Sequence, residues 1–300
     1  MASDITISIA NVFLIAKICS VFYMVAVLIG CIGNIIIIIA TIRSKQLHNC
    51  CNILIACQAF TDIIATINRP LLIFYAYTET LVTIKECYFI QLIPLAFANI
   101  STYLMLLIAT ERLLSARYPV WFRQRNKWNY VFPLSALAVV YLSVLNYLAY
   151  LSTSVDRTVC LLVEGYTGPI KTALMVAILI MNVAIFVIYK YLDVLLKKNR
   201  IYQDKKIIQS LRTIVLSTVS LWFIAIFISV VGGIVSDEKN VELAAEMIGG
   251  FFATTHVLIP FFVYYAKSTV YRSEFIKIVK LPCFTKSIQH HSGVEVINLS

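Results

Sequence analysis

Residues 87–119 read CYFIQLIPLAFANISTYLMLLIATERLLSARYP, and this stretch decides the fold. From Cys87 to Thr110 it holds no charged side chain. A helix of that length rises roughly 36 Å, enough to cross a hydrocarbon core about 30 Å thick. The run stops at two adjacent charges, Glu111 and Arg112, and a basic, aromatic segment leads from there to Pro119. The pattern predicts a membrane-spanning helix over about 85–111 with its charged end at one face of the bilayer.

The rest of the chain repeats the theme. Of its 300 residues, 60 % are hydrophobic and only 13 % charged, about half the charge of an average soluble domain. The apolar residues arrive in blocks of roughly twenty, the length a bilayer demands. No repeat of 20–50 residues and no low-complexity tract interrupts them, so the chain reads as one membrane domain. The net charge of +10 raises nucleic acid as a partner, but its placement argues against that. Of 25 Lys and Arg, 19 lie in alternate connections: Arg43 and Lys45, Arg112 to Lys127, Lys190 to Arg212, and Lys267 to Lys286. The basic connections face the cytoplasm, which puts the N-terminus outside and the C-terminus inside.

Taken in order, the spans are predicted at about 13–42, 50–77, 85–111, 129–151, 168–192, 207–235 and 243–266. The expected fold is an all-α membrane protein, a seven-transmembrane helix bundle. Residues 1–12 form a short extracellular N-terminus, too short and uncharged for a signal peptide, and the first span reads as a retained signal anchor. Residues 267–282 form a short amphipathic eighth helix, with Tyr271, Phe275, Ile278 and Val279 recurring among lysines, suited to the inner leaflet. Residues 283–300 form a cytoplasmic tail. Cys283 is either a palmitoylation site or a plain reduced cysteine. Neither Asn-x-Ser triplet lies on the outer side, Asn99 falling in a span and Asn298 in the inner tail, so glycosylation is not expected.

Polar groups inside hydrocarbon are costly and invite a functional reading. Asp62, in the second span near Asn34 of the first and Ser101 of the third, either binds a cation or water cluster or fixes helix packing. Glu111 and Arg112 either form a charge-assisted clasp or leave an arginine snorkelling at the interface. Cys87 and Cys160 are the two cysteines placed outside, an even pair in an oxidising compartment, and are expected to form a disulfide. Cys19, Cys31, Cys50, Cys51 and Cys57 read as small apolar packers.

Gly33-Asn34, Asp62, Cys87 with Cys160, Glu111-Arg112, Pro119-Val120 and Tyr264 together resemble the rhodopsin-like G-protein-coupled receptors over roughly residues 13–285. Within that class the chain is similar to the nematode chemoreceptors called serpentine receptor class SX. The resemblance lies in Cys51-Asn52-Ile53-Leu54-Ile55, Glu111-Arg112-Leu113-Leu114, and Phe261-Phe262-Val263-Tyr264-Tyr265 with Ser268 and Tyr271-Arg272. Departures accompany it. Pro260-Phe261-Phe262-Val263-Tyr264 keeps the tyrosine of the Asn-Pro-x-x-Tyr signature but not its asparagine or proline positions. The sixth span has Trp222 but no proline, which leaves its pivot open.

The resemblance implies a receptor in the plasma membrane, in sensory neurons the ciliary membrane. It implies a heterotrimeric G protein at the inner face and a small-molecule or peptide ligand in the outer half of the bundle. Glu111, Arg112, Pro119, Val120 and Tyr264 would form the switch, with Val120 entering the G protein as an apolar knob flanked by Arg117, Arg123 and Arg125. The Lys197–Arg212 stretch would meet the G protein's acidic surface. Pro94 stands where amine receptors keep a carboxylate, which argues against a biogenic amine, and the seventh span lacks a lysine for retinal. Arg69 either anchors an acidic ligand group or reaches up to Glu79 or Glu86. Gln91, Leu95, Asn99 and Thr254 are further cavity candidates by helix position, while His256 reads as a packing or hydrogen-bonding group. Outer acidity at Glu79, Glu86, Asp156, Glu164, Asp237 and Glu238 keeps a basic peptide in play. No cofactor, metal or enzymatic activity is expected. The chain has no His-x-x-x-His, no Gly-x-Ser-x-Gly and no acid to pair with Asp62. The rivals are an uncoupled receptor, a ligand-gated channel and a transporter, the last expected to show repeated halves.

Overall fold

The computed structural model describes residues 6–124, 128–199, 205–236 and 238–291. Arg125, Asn126, Lys127, Asp237 and Asn298 lie outside the described residues, as do the side chains of Arg123 and Cys283. The described chain is an all-helical bundle crossed seven times. The end carrying the basic connections is termed inner.

The first span is Ile9–Arg43, capped by Ser8. The second is two helices, Cys50–Ala65 and Arg69–Tyr77. The third runs Ile84–Arg117 behind a reciprocal cap between Thr83 and Glu86. A short inner helix, Pro119–Gln124, precedes the fourth span, Trp128–Leu151. Gly168–Asn199 and Lys205–Val235 are the fifth and sixth. The seventh is Lys239–Thr255, a tight 3-10 turn at His256–Leu258, and Ile259–Lys267. A last helix, Thr269–His291, lies beyond Ser268.

Two findings differ from the simple spacing. The second span breaks at residues 66–68, just before Pro70, whose missing N–H and preference for an extended predecessor disfavour a continuous helix. The seventh breaks just before Pro260 for the same reason. By contrast the sixth is continuous past Trp222. The bends therefore sit in the second and seventh spans.

The surface is apolar where lipid would lie: Ile18, Ile32, Phe132, Ile180 and Ile234 are all well exposed. The interior divides into an inner and an outer core. The inner core joins the first three spans to the fifth, sixth and seventh, and takes in Tyr271 and Phe275 of the last helix. These two aromatics correct the expected lipid-facing stripe. Tyr271 stacks on Tyr264 with centroids 4.7 Å apart, and Phe275 stacks on Phe261 at 5.1 Å. The face left for lipid is the one bearing Ile276 and Val279.

At the outer end the Cys87–Cys160 disulfide joins the third span to the loop between the fourth and fifth. Two-residue strands, Val82–Thr83 and Arg157–Thr158, pair antiparallel beside it. The amides of Ile84 and Lys85 then bond the carbonyls of Asp156 and Ser154. The loop is thereby fixed to the rim of the bundle at Cys160 and along the residues just before it.

Candidate functional site

Beneath that loop lies an outer cavity with about 610 Å³ of empty space, including the part open to solvent. Leu161, Leu162 and Val163 of the loop line it, with Met175 of the fifth span and Trp222 of the sixth. Two charged residues reach it, Arg69 from the second span and Glu246 from the seventh. Gly249 and Gly250 complete one wall, and here glycine is required by proximity. A Cβ on Gly249 would stand 2.8 Å from the Ala225 carbonyl oxygen, and one on Gly250 would stand 2.6 Å from the Tyr23 hydroxyl. The missing side chains let the seventh span close on the first and sixth.

Arg69 owes its place to the break in the second span, since it opens the outer helix instead of continuing the inner one. Its guanidinium lies over the Tyr23 ring, 5.1 Å from the centroid, a cation–π contact. Tyr23 is itself fixed by donating its hydroxyl to the Met247 carbonyl. The buried Nε of Arg69 has no hydrogen-bond partner among the described residues. The reach to Glu79 or Glu86 is not made. Glu79 pairs with Lys17 at 2.7 Å, and Glu86 accepts from Thr83 at its own helix cap.

The other candidates from helix position do not line this cavity. Gln91 accepts a hydrogen bond from Asn68 and donates to the Cys160 sulfur at 3.5 Å. Leu95 packs into a cluster with Tyr88, Leu145, Leu174 and Ile178. Asn99 donates back to the Leu95 carbonyl at 2.8 Å. Thr254 is buried with an unpartnered hydroxyl. The third span is thus occupied with holding the loop and the fourth and fifth spans, which shifts the cavity toward the first, sixth and seventh. His256 lies inside the seventh-span turn, bonded to the Ala253 carbonyl and 6.0 Å from the Trp222 ring.

Beside the cavity sits an ion cluster that the sequence did not announce. Lys171 is held by Glu164 at 2.7 Å, Glu242 at 2.9 Å and Glu246 at 2.6 Å. The Glu164 and Glu246 side chains are 7 % and 6 % exposed, so charges this deep must be paired. Burial pushes the Glu164 carboxyl up, but the Lys171 ammonium and hydrogen bonds from Lys171 and Thr158 outweigh it and hold the group below the usual carboxylate range. The Glu164–Lys171 contact is therefore ionic at neutral pH and would be lost as pH falls through that depressed value. Among the described acids of the outer rim, Glu79, Glu86 and Glu164 are engaged as above. Asp156 is bonded to Ser154, and Glu238 accepts from the Ile7 amide. These described acids of the outer rim therefore each have a partner within the chain.

At the inner end, Arg112 and Glu111 meet with Nε and Oε2 3.0 Å apart. The helix does not end there but continues through Arg117, so the pair is more deeply set than its spacing suggested. The two side chains are 11 % and 3 % exposed. Arg112 Nε also donates to the Cys51 sulfur at 2.9 Å, so Cys51, which packs in the inner core as expected, is an acceptor as well. Tyr264 and Tyr189 are buried in the same inner core. Asp193 of the fifth span binds Arg212 of the sixth at 2.9 Å and Lys197 at 3.3 Å, so both ends of the Lys197–Arg212 stretch are tied within the chain. Lys267 reaches Thr213 at 2.6 Å. Beyond the clasp, Val120 is 69 % exposed on the short helix that Pro119 opens.

Between the two ends, Ser101 donates to Asp62, while both polar atoms of the Asn34 side chain lack a hydrogen-bond partner among the described residues. Asn34 and Asp62 line one small inner cavity with Pro260 and Tyr264. Among the described residues no group of three or more His, Cys, Asp or Glu is placed to hold a metal ion.

Residues 27–279 match the family model described as serpentine type 7TM GPCR chemoreceptor Srsx. The chain belongs to this family. The match covers every element lining the outer cavity except the start of the first span, Tyr23 included. No curated protein matches the chain. As an Srsx serpentine chemoreceptor it is a multi-pass membrane protein of a receptor class.

The features hidden from sequence reasoning share one property. Lys171 and its three carboxylates span residues 164–246, Arg112 and Cys51 are 61 residues apart, and Arg69 and Tyr23 are 46 apart. Nothing local marks such pairs. The one available signal was Lys171 itself, an isolated cation at the outer start of an apolar span of an Srsx receptor.

Proposed function

We propose that this receptor binds a ligand in its outer cavity and answers by activating a heterotrimeric G protein at its inner face, in the plasma membrane of a sensory cell. One observation carries the reading: Arg112 is buried and held by Glu111 and Cys51 at the inner end of the third span. Charges so placed are costly in hydrocarbon and are retained where they act. The resting arrangement holds Arg112 inward. Release of Glu111 would free its guanidinium for a partner, with exposed Val120 entering that partner as an apolar knob.

The test compares Arg112→Ala with the parent in cells supplying a promiscuous G protein. Surface staining is expected to stay equal while ligand-dependent nucleotide exchange is lost. Exchange at the parental rate by Arg112→Ala would remove the coupling role.

A second reading, a receptor that binds but does not couple, draws support from the sixth span. It is continuous past Trp222 and holds no proline, so it lacks the usual cause of a sharp helix kink. That reading predicts saturable binding without exchange on any co-expressed G protein.

A further inference from the structure

Two opposite charges face the outer cavity without pairing to each other. Arg69 offers a guanidinium whose described contact is the face of the Tyr23 ring, with a buried Nε left over. Glu246 gives one carboxylate oxygen to Lys171 at 2.6 Å and lies against the Glu164 carboxyl, and its buried second oxygen meets no donor among the described residues. A buried polar atom left unmade carries a desolvation cost that a ligand atom can recover. The local contacts extend the point: one ammonium, Lys171, is shared among three carboxyl groups, so the Glu246 side of the cavity holds more acceptor oxygens than that cation satisfies. The Arg69 side holds excess positive charge.

From this juxtaposition we infer that the ligand is a small zwitterion with an apolar body, its carboxylate on Arg69 and its ammonium on Glu246. Free apolar α-amino acids are the simplest molecules of that class. The inference rests on the proposed outer binding site and names its ligand chemistry. A plain anion would satisfy Arg69 but leave the Glu246 oxygen without a donor. A plain cation would satisfy Glu246 but leave Arg69 opposite it. An uncharged ligand would strand both. The rest of the lining, Trp222, Met175 and Leu162 among it, is apolar and suits an aliphatic or aromatic body.

The experiment measures binding to the full-length receptor in lipid nanodiscs, without a G protein, by the shift in melting temperature. The probes are phenylalanine, leucine and methionine, each as the free zwitterion, the N-acetyl acid, the amide and the N-acetyl amide. The free forms are expected to bind on the order of tenfold or more tightly than either singly charged form. Arg69→Gln should erase the advantage over the amide, and Glu246→Gln the advantage over the N-acetyl acid. Arg69→Lys and Glu246→Asp keep the charges and serve as folding controls, with partial retention of both advantages expected. Equal or tighter binding of a singly charged form, or no binding by any probe, overturns the inference. Because no G protein is present, a receptor that binds the zwitterions yet never drives exchange sinks the coupling proposal alone. One that drives exchange with other compounds but ignores the zwitterions sinks this inference alone.

Discussion

The outer mouth and the inner rim treat charge in opposite ways. At the inner rim each of the principal charges has a partner within the chain: Arg112 with Glu111 and Cys51, and Arg212 and Lys197 with Asp193. At the outer mouth Arg69 and Glu246 share a cavity and leave polar atoms unpaired. The difference teaches which end is closed on itself and which end is prepared for something to arrive. A closed rim must be broken by energy supplied elsewhere, and an unsatisfied mouth is where binding can supply it. The second and the seventh spans, each with an internal break, contribute side chains to both ends.

The most severe way to break this contrast is to unfix the mouth. Cys87→Ser would release the loop that carries Leu161–Val163 over the cavity and Glu164 toward Lys171. Loss of a native disulfide costs about 2–5 kcal/mol. The variant is expected to lose most of its surface expression, and what survives should fail to respond to ligand, as read by surface staining and nucleotide exchange. Cys160→Ser should match it. Parental response in either variant would mean that the strand pairing and the ion cluster hold the loop unaided.

Loosening the rim comes next. Glu111→Gln keeps the shape of the side chain and removes its charge, leaving Arg112 with the Cys51 sulfur. Hydrogen bonds to charged groups contribute about 1.5–3 kcal/mol. Ligand-free exchange should therefore rise on the order of tenfold, with the expression level near that of the parent. A fall in basal exchange would show that Glu111 serves the active arrangement instead of the resting one.

How much of this contrast was legible beforehand depends on the range over which each feature is encoded. Spans announce themselves because a bilayer imposes a local length and polarity on each helix, and all seven fall where the apolar blocks lie. Glu111-Arg112 and the cysteine pair were legible as well, one through adjacency and the other through compartment. The breaks at residues 66–68 and 256–258 escaped, because hydropathy does not register a helix interruption, although Pro70 and Pro260 mark both. The charged mouth escaped for a deeper reason. Arg69 was visible as a misplaced cation, but whether it meets Glu79, Glu86 or a cavity depends on where the second span bends. Lys171 and Glu246 find each other only through the packing of the fifth span against the seventh and the loop between. Hydropathy and spacing act along the chain, whereas a cavity is made by segments distant in it.

The least disruptive probe separates the two ionic contacts of the inner rim itself. Asp193 and Arg212 are 31 % and 42 % exposed, against 3 % for Glu111. Water and salt screen a pair so open, and such pairs contribute about 0.2–1 kcal/mol. Asp193→Asn should thus raise ligand-free exchange by no more than about fivefold, below the effect of Glu111→Gln. Salt sharpens the distinction. In purified receptor the difference between Asp193→Asn and the parent should shrink as ionic strength rises, because the exposed pair is already screened in the parent. The difference made by Glu111→Gln should persist, since burial shields its contact from counter-ions. If both differences faded together with salt, the Glu111–Arg112 contact would be open to solvent at rest, and the rim would no longer be the closed end.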